Sequence, residues 1–380
     1  MKPLAGLKVL ELARILAGPW AGQVLADLGA TVIKIESPQG DDTRTWGPPF
    51  IERDGDQSAA YFYSCNRGKQ SVLADIKTEE GQKLVRDLAA EADVVIENFK
   101  VGGLAKYGLD YTSLSAVNKS LVYCSITGFG QTGPYADRAG YDYLVQGMSG
   151  LMSITGDPSG EPQKVGVAVT DIYTGLYSVI AIQAALAARA ETGLGQHIDM
   201  SLLDAGTATL ANQAMNFFAT GQSPKRMGNE HPNIVPYEVF PVADGDIIIA
   251  AGNDGQYQRL CQVLGRDDLA QDPRFETNSK RVAMRAELVP EIKSATRAWA
   301  KADILARLEA AKVPASPINS VGEAMQDPQI LHRRLAAEVD GVEGLRTPIM
   351  FGTAPSIADR TAPKLGEHSE TVAKFGWGSD

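Results

Sequence analysis

Signatures of metal and redox chemistry are scarce in this 380-residue chain. Its three cysteines, Cys65, Cys124 and Cys261, lie far apart and form no CxxC. That excludes a disulfide framework and points to a reducing compartment. The four histidines, His197, His231, His332 and His368, include no i, i+4 pair, so no metal site is expected. No G-x-S-x-G follows a strand-like segment, which removes the hydrolase elbow. The first strand-helix turn reads ARILAGPWAG, with one early glycine where a dinucleotide fingerprint needs G-x-G-x-x-G, and this disfavours a nicotinamide enzyme. An excess of positive charge is also missing: 36 Lys and Arg against 46 Asp and Glu give a net −10. A general grip on nucleic acid or on an anionic membrane is therefore not expected, and any anionic ligand needs a local basic pocket.

What is present is an ordinary globular composition, 44% apolar and 22% charged, which argues against disorder and coiled coil. The opening stretch holds Glu11 and Arg14 within its apolar residues and lacks a signal-peptide layout, so a cytoplasmic protein is expected. The most apolar later stretch, 172–188, is interrupted by Thr174, Gly175, Ser178 and Gln183 and reads as a buried helix rather than a membrane span.

Strand-like runs at 9–12, 31–35, 94–96 and 121–126 alternate with helical patterns at 19–28 and 79–92, the latter with Thr78 as N-cap and Glu79 and Glu80 in its first turn. This grammar predicts an α/β fold with a Rossmann-like parallel sheet. Residues 164–169 alternate like a strand, with a helix from Ile172; 197–200 reads as a further strand and 202–219 as one more apolar helix. The Gly-, Pro- and Asn-rich segment 221–236 reads as a linker. Beyond it come a hairpin at 237–251 and a helical run to Ala311, ended by Pro314 and Pro317. The expected organisation is a large domain, 1–220, a smaller α+β domain, 237–330, and a tail, 331–380, too poor in apolar residues to fold alone and so returning to the large domain.

Ala17-Gly18-Pro19 places a small, backbone-exposed loop at the end of the first strand, where open α/β sheets bind ligands. Asn66-Arg67-Gly68-Lys69 and Glu97-Asn98-Phe99-Lys100 lie near other strand ends and, with Lys106 and Arg138, are candidates for an anion pocket; scattered surface charge is the alternative. Asp171 stands between the 164–169 segment and the long apolar helix. It reads as an N-cap held ionised by helix amides and the dipole, and a positioned carboxylate of that kind can attack an activated acyl group to form an anhydride. Helix capping alone is the other reading.

The strings at 16–44 (LAGPWAGQVLADLGATVIKIESPQGDDTR), 61–77 (YFYSCNRGKQSVLADIK), 94–109 (VVIENFKVGGLAKYGL), 125–142 (SITGFGQTGPYADRAGYD), 164–186 (KVGVAVTDIYTGLYSVIAIQAAL), 228–237 (GNEHPNIVPY) and 362–368 (APKLGEH) resemble, in order and spacing, the class III CoA-transferases. That group includes formyl-CoA transferase, carnitine CoA-transferase and 2-methylacyl-CoA racemase. The resemblance implies a large domain built from both chain ends and two subunits threaded through each other as an interlocked homodimer. It makes Asp171 the nucleophile, and it implies that Ile15, Leu16, Ala17, Asn98, Phe99, Lys106 and Arg138 line the CoA site, with Lys69 as a phosphate contact.

Three departures narrow the expectation. Tyr141 stands where the racemases have a histidine before the aspartate, here Asp142, so racemisation, which needs two opposed acid-base groups, is disfavoured. No GGGG run matches the lid of the oxalate-specific members, and Ser37 stands where many members have arginine. The expected activity is transfer of CoA from an acyl-CoA donor, with succinyl-CoA the first choice, to a free carboxylic acid. CoA is then a substrate rather than a bound cofactor, and Arg226 would pair with a distal carboxylate. An acyl-CoA racemase and a non-catalytic CoA-binding protein are the alternatives.

Overall fold

The computed structural model describes residues 2–378. The chain divides into two compact units: Met1–Leu151, Lys164–Gly221 and Pro328–Asp380 make the larger, and Met152–Gln163 with Gln222–Asp327 the smaller. Residues 152–163, which the sequence reading gives to the large domain, group with the smaller unit, as does nearly all of the 221–236 segment.

The main sheet of the larger unit has six strands: β1 (Lys8–Glu11), β2 (Thr31–Glu36), β3 (Lys69–Leu73), β4 (Val94–Glu97), β5 (Val122–Thr127) and β6 (His197–Ser201). They pair in the order β3-β2-β1-β4-β5-β6, every neighbour parallel, which is the doubly wound arrangement. Strand residues alternate between the two faces. Val9, Val32, Val94, Ile96, Val122 and Cys124 pack under one layer, with Leu10, Ile33, Val72, Val95 and Tyr123 under the other. The first layer is supplied by α1 (Ala17–Asp27) and the long helix α4 (Val169–Thr192); the second includes α2 (Glu79–Glu91), capped by the Thr78 side chain as expected. Between them in chain order comes the short α3 (Asp142–Met148).

Three local expectations are corrected. Residues 164–168 form no strand: the Val165 amide donates to Gln146 Oε1 at 2.9 Å, Gln146 Nε2 donates to the Val167 carbonyl at 3.5 Å, and Val167 is 57% exposed. The one side-chain amide of Gln146 on α3 thus takes polar groups that a neighbouring strand would have used. The helix expected over 202–219 is two, α5 (Leu202–Ala208) and α6 (Ala211–Thr220), broken where Ala211 takes φ +46°. α4 is not buried all round: Val179, Ile182 and Ala185 enter the core, while Leu176, Tyr177 and Ile180 are 41%, 43% and 62% exposed.

In the smaller unit β7 (Tyr237–Val242) and β8 (Gly245–Ala250) form a hairpin with only Ala243 and Asp244 between them, and Ala315–Pro317 pairs antiparallel on the far side of β8. Helices over 254–310 close a core around Phe240, Ile247, Ile249, Tyr257 and Leu260.

Candidate active site

In a doubly wound sheet, ligands sit outside the carboxyl ends of the strands where the order reverses, here between β1 and β4. The turns leaving those strands carry Ile15-Leu16-Ala17 and Asn98-Phe99. The structure ties them together: the Arg14 amide donates to Asn98 Oδ1 at 2.9 Å, and Asn98 Nδ2 donates to the Arg14 carbonyl at 2.7 Å. The Phe99 amide donates to Glu97 Oε2 at 2.8 Å, and the Arg14 guanidinium lies 5.8 Å over the Phe99 ring. Asn98 therefore spends both ends of its amide on the backbone of Arg14. Ile15 has φ +73°, a strained conformation for a β-branched residue. Leu16 and Ala17 are buried at the start of α1.

Asp171 lies in the first turn of α4, two residues inside the helix; the N-cap is Ala168, which offers no side-chain oxygen. The expected capping position is thus corrected. So is the expected ionisation: burial, and then the charge of Asp142, push the Asp171 carboxyl up to about 7. The Thr170 amide and hydroxyl, next to it in the first turn, are both given to Asp142 Oδ1, at 2.8 and 2.7 Å. Asp142 Oδ2 accepts from Gln146 Nε2 at 2.7 Å. One carboxylate is thus fully bonded and its neighbour is left free, an arrangement that separates their chemistry.

One turn along the same face from Asp171, Gly175 presses α4 against α1. A Cβ there would stand 2.7 Å from the Ala17 carbonyl oxygen. This crossing brings the Asp171 end of α4 to the turn that opens α1. Tyr61 belongs to the same neighbourhood: its phenol is pushed up to about 12 by burial and by the charges of Asp171, Asp142 and Asp41, and the Trp46 ring stands edge-on to it at 5.4 Å.

The remaining sequence candidates separate into two groups. Lys69 is corrected: its ammonium is fully buried and bonded to Glu11 Oε1, the Pro19 carbonyl and Asn66 Oδ1, each at 2.9 Å, so it is an internal ion and not a phosphate contact. Arg67 is likewise internal, paired with Asp27. Lys106 and Arg138 are exposed, lying 4.8 Å over Tyr107 and 3.9 Å over Tyr135. Arg138 lies within, and Tyr141 just after, a loop whose neck is closed by Gly128 and Gly140, where a Cβ on either would meet the other's α-carbon within 2.4 Å. Its GFGQTG string matches G-x-G-x-x-G after a strand, yet no helix opens on it. Tyr141 is 61% exposed. Arg226 lies in the smaller unit, donating to the carbonyls of Asp157 at 3.2 Å and Gly160 at 2.8 Å.

Sequence reasoning missed Asp142, Tyr61 and Asp41. For Asp142 a signal existed, its place after AGY in the matched string, but only the fold shows the bond to Thr170.

The sequence model for "CoA-transferase family III" matches residues 4–369. A curated protein of Agrobacterium fabrum named succinate–glutarate CoA-transferase is 58% identical over 97% of this chain and 94% of its own. The human protein named succinyl-CoA:glutarate CoA-transferase is 40% identical over 98% of this chain and 86% of its own. A crystal structure described as a CAIB/BAIF family protein from Brucella suis is 62% identical, covers 98% of both chains and superposes with a TM-score of 0.89.

Proposed function

The chain belongs to CoA-transferase family III, and from that premise we propose that this CoA-transferase moves CoA from succinyl-CoA to glutarate or a similar short dicarboxylic acid, with Asp171 as the nucleophile. The names of the curated relatives support the substrate pair. The observation that carries the residue is the bond-free, half-buried carboxyl of Asp171 on α4, pressed by Gly175 to the turn that opens α1.

A carboxylate without hydrogen-bond partners and with its affinity for a proton raised keeps its electron pair available for attack. In the proposed reaction Asp171 attacks the thioester carbonyl, expelling the CoA thiolate and leaving a succinyl-aspartyl anhydride. The thiolate attacks the aspartyl carbonyl, releasing succinate and forming an aspartyl-CoA thioester. Glutarate then displaces the thiolate to give a second anhydride. The thiolate finally attacks its glutaryl carbonyl, and Asp171 is regenerated without hydrolysis or ATP.

The Ile15-Leu16-Ala17 turn and the Asn98-Phe99 turn would carry the CoA, with Arg14, Lys106 and Arg138 as the exposed cations for its phosphates. Arg226 gives Nε and Nη2 to carbonyls of its own unit, and it is not assigned to the distal carboxylate.

The same proposal includes self-association. Leu176, Tyr177 and Ile180 of α4, and separately Met215 and Phe218 of α6 at 63% and 73% exposure, are exposed apolar side chains of the kind that a second copy covers. α4 is also long and apolar enough to cross a membrane. Its opposite face, however, is committed to the core through Val179, Ile182 and Ala185, which favours a second copy of the chain over a membrane as the cover. Three buried free thiols fit a reducing compartment such as the cytoplasm.

The test is to incubate the protein with succinyl-CoA without acceptor, quench with hydroxylamine and locate the hydroxamate by peptide mass spectrometry. The label should fall on Asp171, and Asp171→Ala should abolish both label and transfer. Substantial turnover by Asp171→Ala would sink the mechanism, and exchange of α-deuterium without acceptor acid would favour a racemase.

A further inference from the structure

Ile15 stands out among the residues with left-handed backbone. Asp54 and Asp340 take positive φ in the two-residue turns of hairpins, where aspartate before glycine is ordinary. Ile15 is β-branched, sits at the switch point of the sheet, and has φ +73° with no turn chemistry of its own to explain it. Such a residue persists only where its surroundings over-determine it, and strain of this kind concentrates at functional sites.

Two buried side chains, Lys34 and Asp41, and the partly exposed Asn98 do the determining. Lys34 Nζ donates to the Ala13 carbonyl at 2.7 Å; Asn98 brackets the Arg14 amide and carbonyl; both oxygens of Asp41 accept from the Ile15 amide at 3.3 Å. Asp41 itself is fixed. Its carboxylate pairs with Lys34 at 3.0 Å and accepts from the Thr43 amide and hydroxyl at 3.0 and 2.8 Å, and its side chain is fully buried. Burial alone would raise its proton affinity, but the Lys34 charge and the Thr43 bonds outweigh it and keep the carboxylate ionised. A buried ion pair is a weak device for stability, since a well-packed apolar pair serves as well or better. Here it joins two points of one backbone turn, the Ala13 carbonyl and the Ile15 amide on either side of Arg14.

We propose that Asp41, backed by Lys34, is a positioning residue of this transferase: it holds Ile15 in the left-handed conformation that presents the Ile15-Leu16-Ala17 backbone to the CoA thioester. The proposal rests on the reading that places CoA at that turn.

The experiment uses the full-length protein, with the ion pair removed as a neutral unit in Asp41→Ala/Lys34→Met and more gently in Asp41→Asn. It measures KM for succinyl-CoA and kcat with glutarate, together with hydrogen exchange at the Ile15 amide. Loss of the clamp should speed exchange at Ile15 and raise KM for succinyl-CoA about tenfold. Adding Ile15→Gly, which adopts positive φ without strain, should recover most of that loss. A raised KM that Ile15→Gly does not rescue would show that Asp41 acts through general folding and would overturn the proposal. Unchanged exchange with unchanged KM would overturn it too. Faster exchange with unchanged KM would leave the clamp in place and remove CoA from the turn, while hydroxylamine trapping on Asp171 in the parent would still report on the transfer chemistry. Should the double variant fail to unfold cooperatively, Asp41→Asn with and without Ile15→Gly carries the same comparison.

Discussion

A carboxyl that titrates near neutrality gives the reaction a pH dependence with a defined sign. Burial first, and Asp142 second, raise Asp171 to about 7, and only its ionised form attacks a thioester. The value of kcat/KM for the acyl-CoA donor reports the free enzyme, so it should climb as pH rises through about 7 and level off above. Asp142→Asn removes the smaller of the two causes, and the limb should move to lower pH without reaching the ordinary aspartate value, 3.8. Glu97, also pushed up to about 7 by burial, is the competing assignment; Glu97→Gln should leave the limb in place. Initial rates from pH 5 to 9 with saturating glutarate decide it, and a flat profile in the parent would remove Asp171 from the rate expression. At this scale the sequence marked Asp171 but misread its state. The marking came from a long apolar helix and a matched string. The raised proton affinity of Asp171 depends first on burial and then on the charge of Asp142, 29 residues away in the chain, and neither is visible in the local string. Lys69 shows the converse, a cation beside a strand end whose spacing cannot reveal that Glu11, itself buried, faces it.

Among the elements, visibility followed hydropathy. β1, β2, β4 and β5 are apolar runs and could be read; β3, with Lys69, Gln70 and Ser71 in its five residues, could not. A strand that buries ions against its neighbours carries no apolar signature, and Lys34 opposite Glu11 in the β1-β2 register shows the same device inside a legible pair. The 164–169 alternation misled for the opposite reason, since an extended segment satisfied by side-chain amides looks like a strand. What no pattern announces is the crossing of α1 and α4 at Gly175. Alanine there would be the better helix former by about 1 kcal/mol, yet its Cβ would meet the Ala17 carbonyl oxygen at 2.7 Å and Trp20 side-chain carbons at 3.2 Å. Gly175→Ala should therefore destabilise the protein by about 1 to 3 kcal/mol in denaturant titration. Because Asp171 is one turn away, it should also lower kcat more than tenfold, roughly the cost of an ångström of misplacement. A variant as stable and active as the parent would show that the helices part freely and that their spacing does not set the site.

For the molecule as a whole, the tail's dependence on the rest is readable from its composition, but the residues that fasten it are not. Residues 336–345 and 350–355 form two small hairpins with Leu345 and Phe351 half exposed, and the tail has no core of its own. Val372, Trp377 and Ala362 join clusters built by the first part of the chain. One buried polar fastening among several is Asp27, in the last turn of α1. One oxygen accepts from Arg67 Nε and the Ala358 amide, the other from Arg67 Nη2 and the Thr347 amide, all between 2.7 and 3.1 Å. One carboxylate thus joins a helix, the turn before β3 and two points more than 300 residues on. Removing it strands a buried guanidinium and two buried amides, so Asp27→Ala should cost about 3 to 5 kcal/mol. Limited proteolysis should cut within 331–368 well before the sheet is lost. Replacing the pair together, Asp27→Leu with Arg67→Met, separates the two effects. Global stability should largely return because no charge is left unpaired, while the tail, still without acceptors for Thr347 and Ala358, should stay susceptible. If the tail of the double variant resists protease as the parent's does, the apolar anchors Val372 and Trp377, with the polar ties of Ser71 to Gly366 and His368 and of Arg44 to Pro363, hold it, and the Asp27 hub is only an ion pair that happens to touch it.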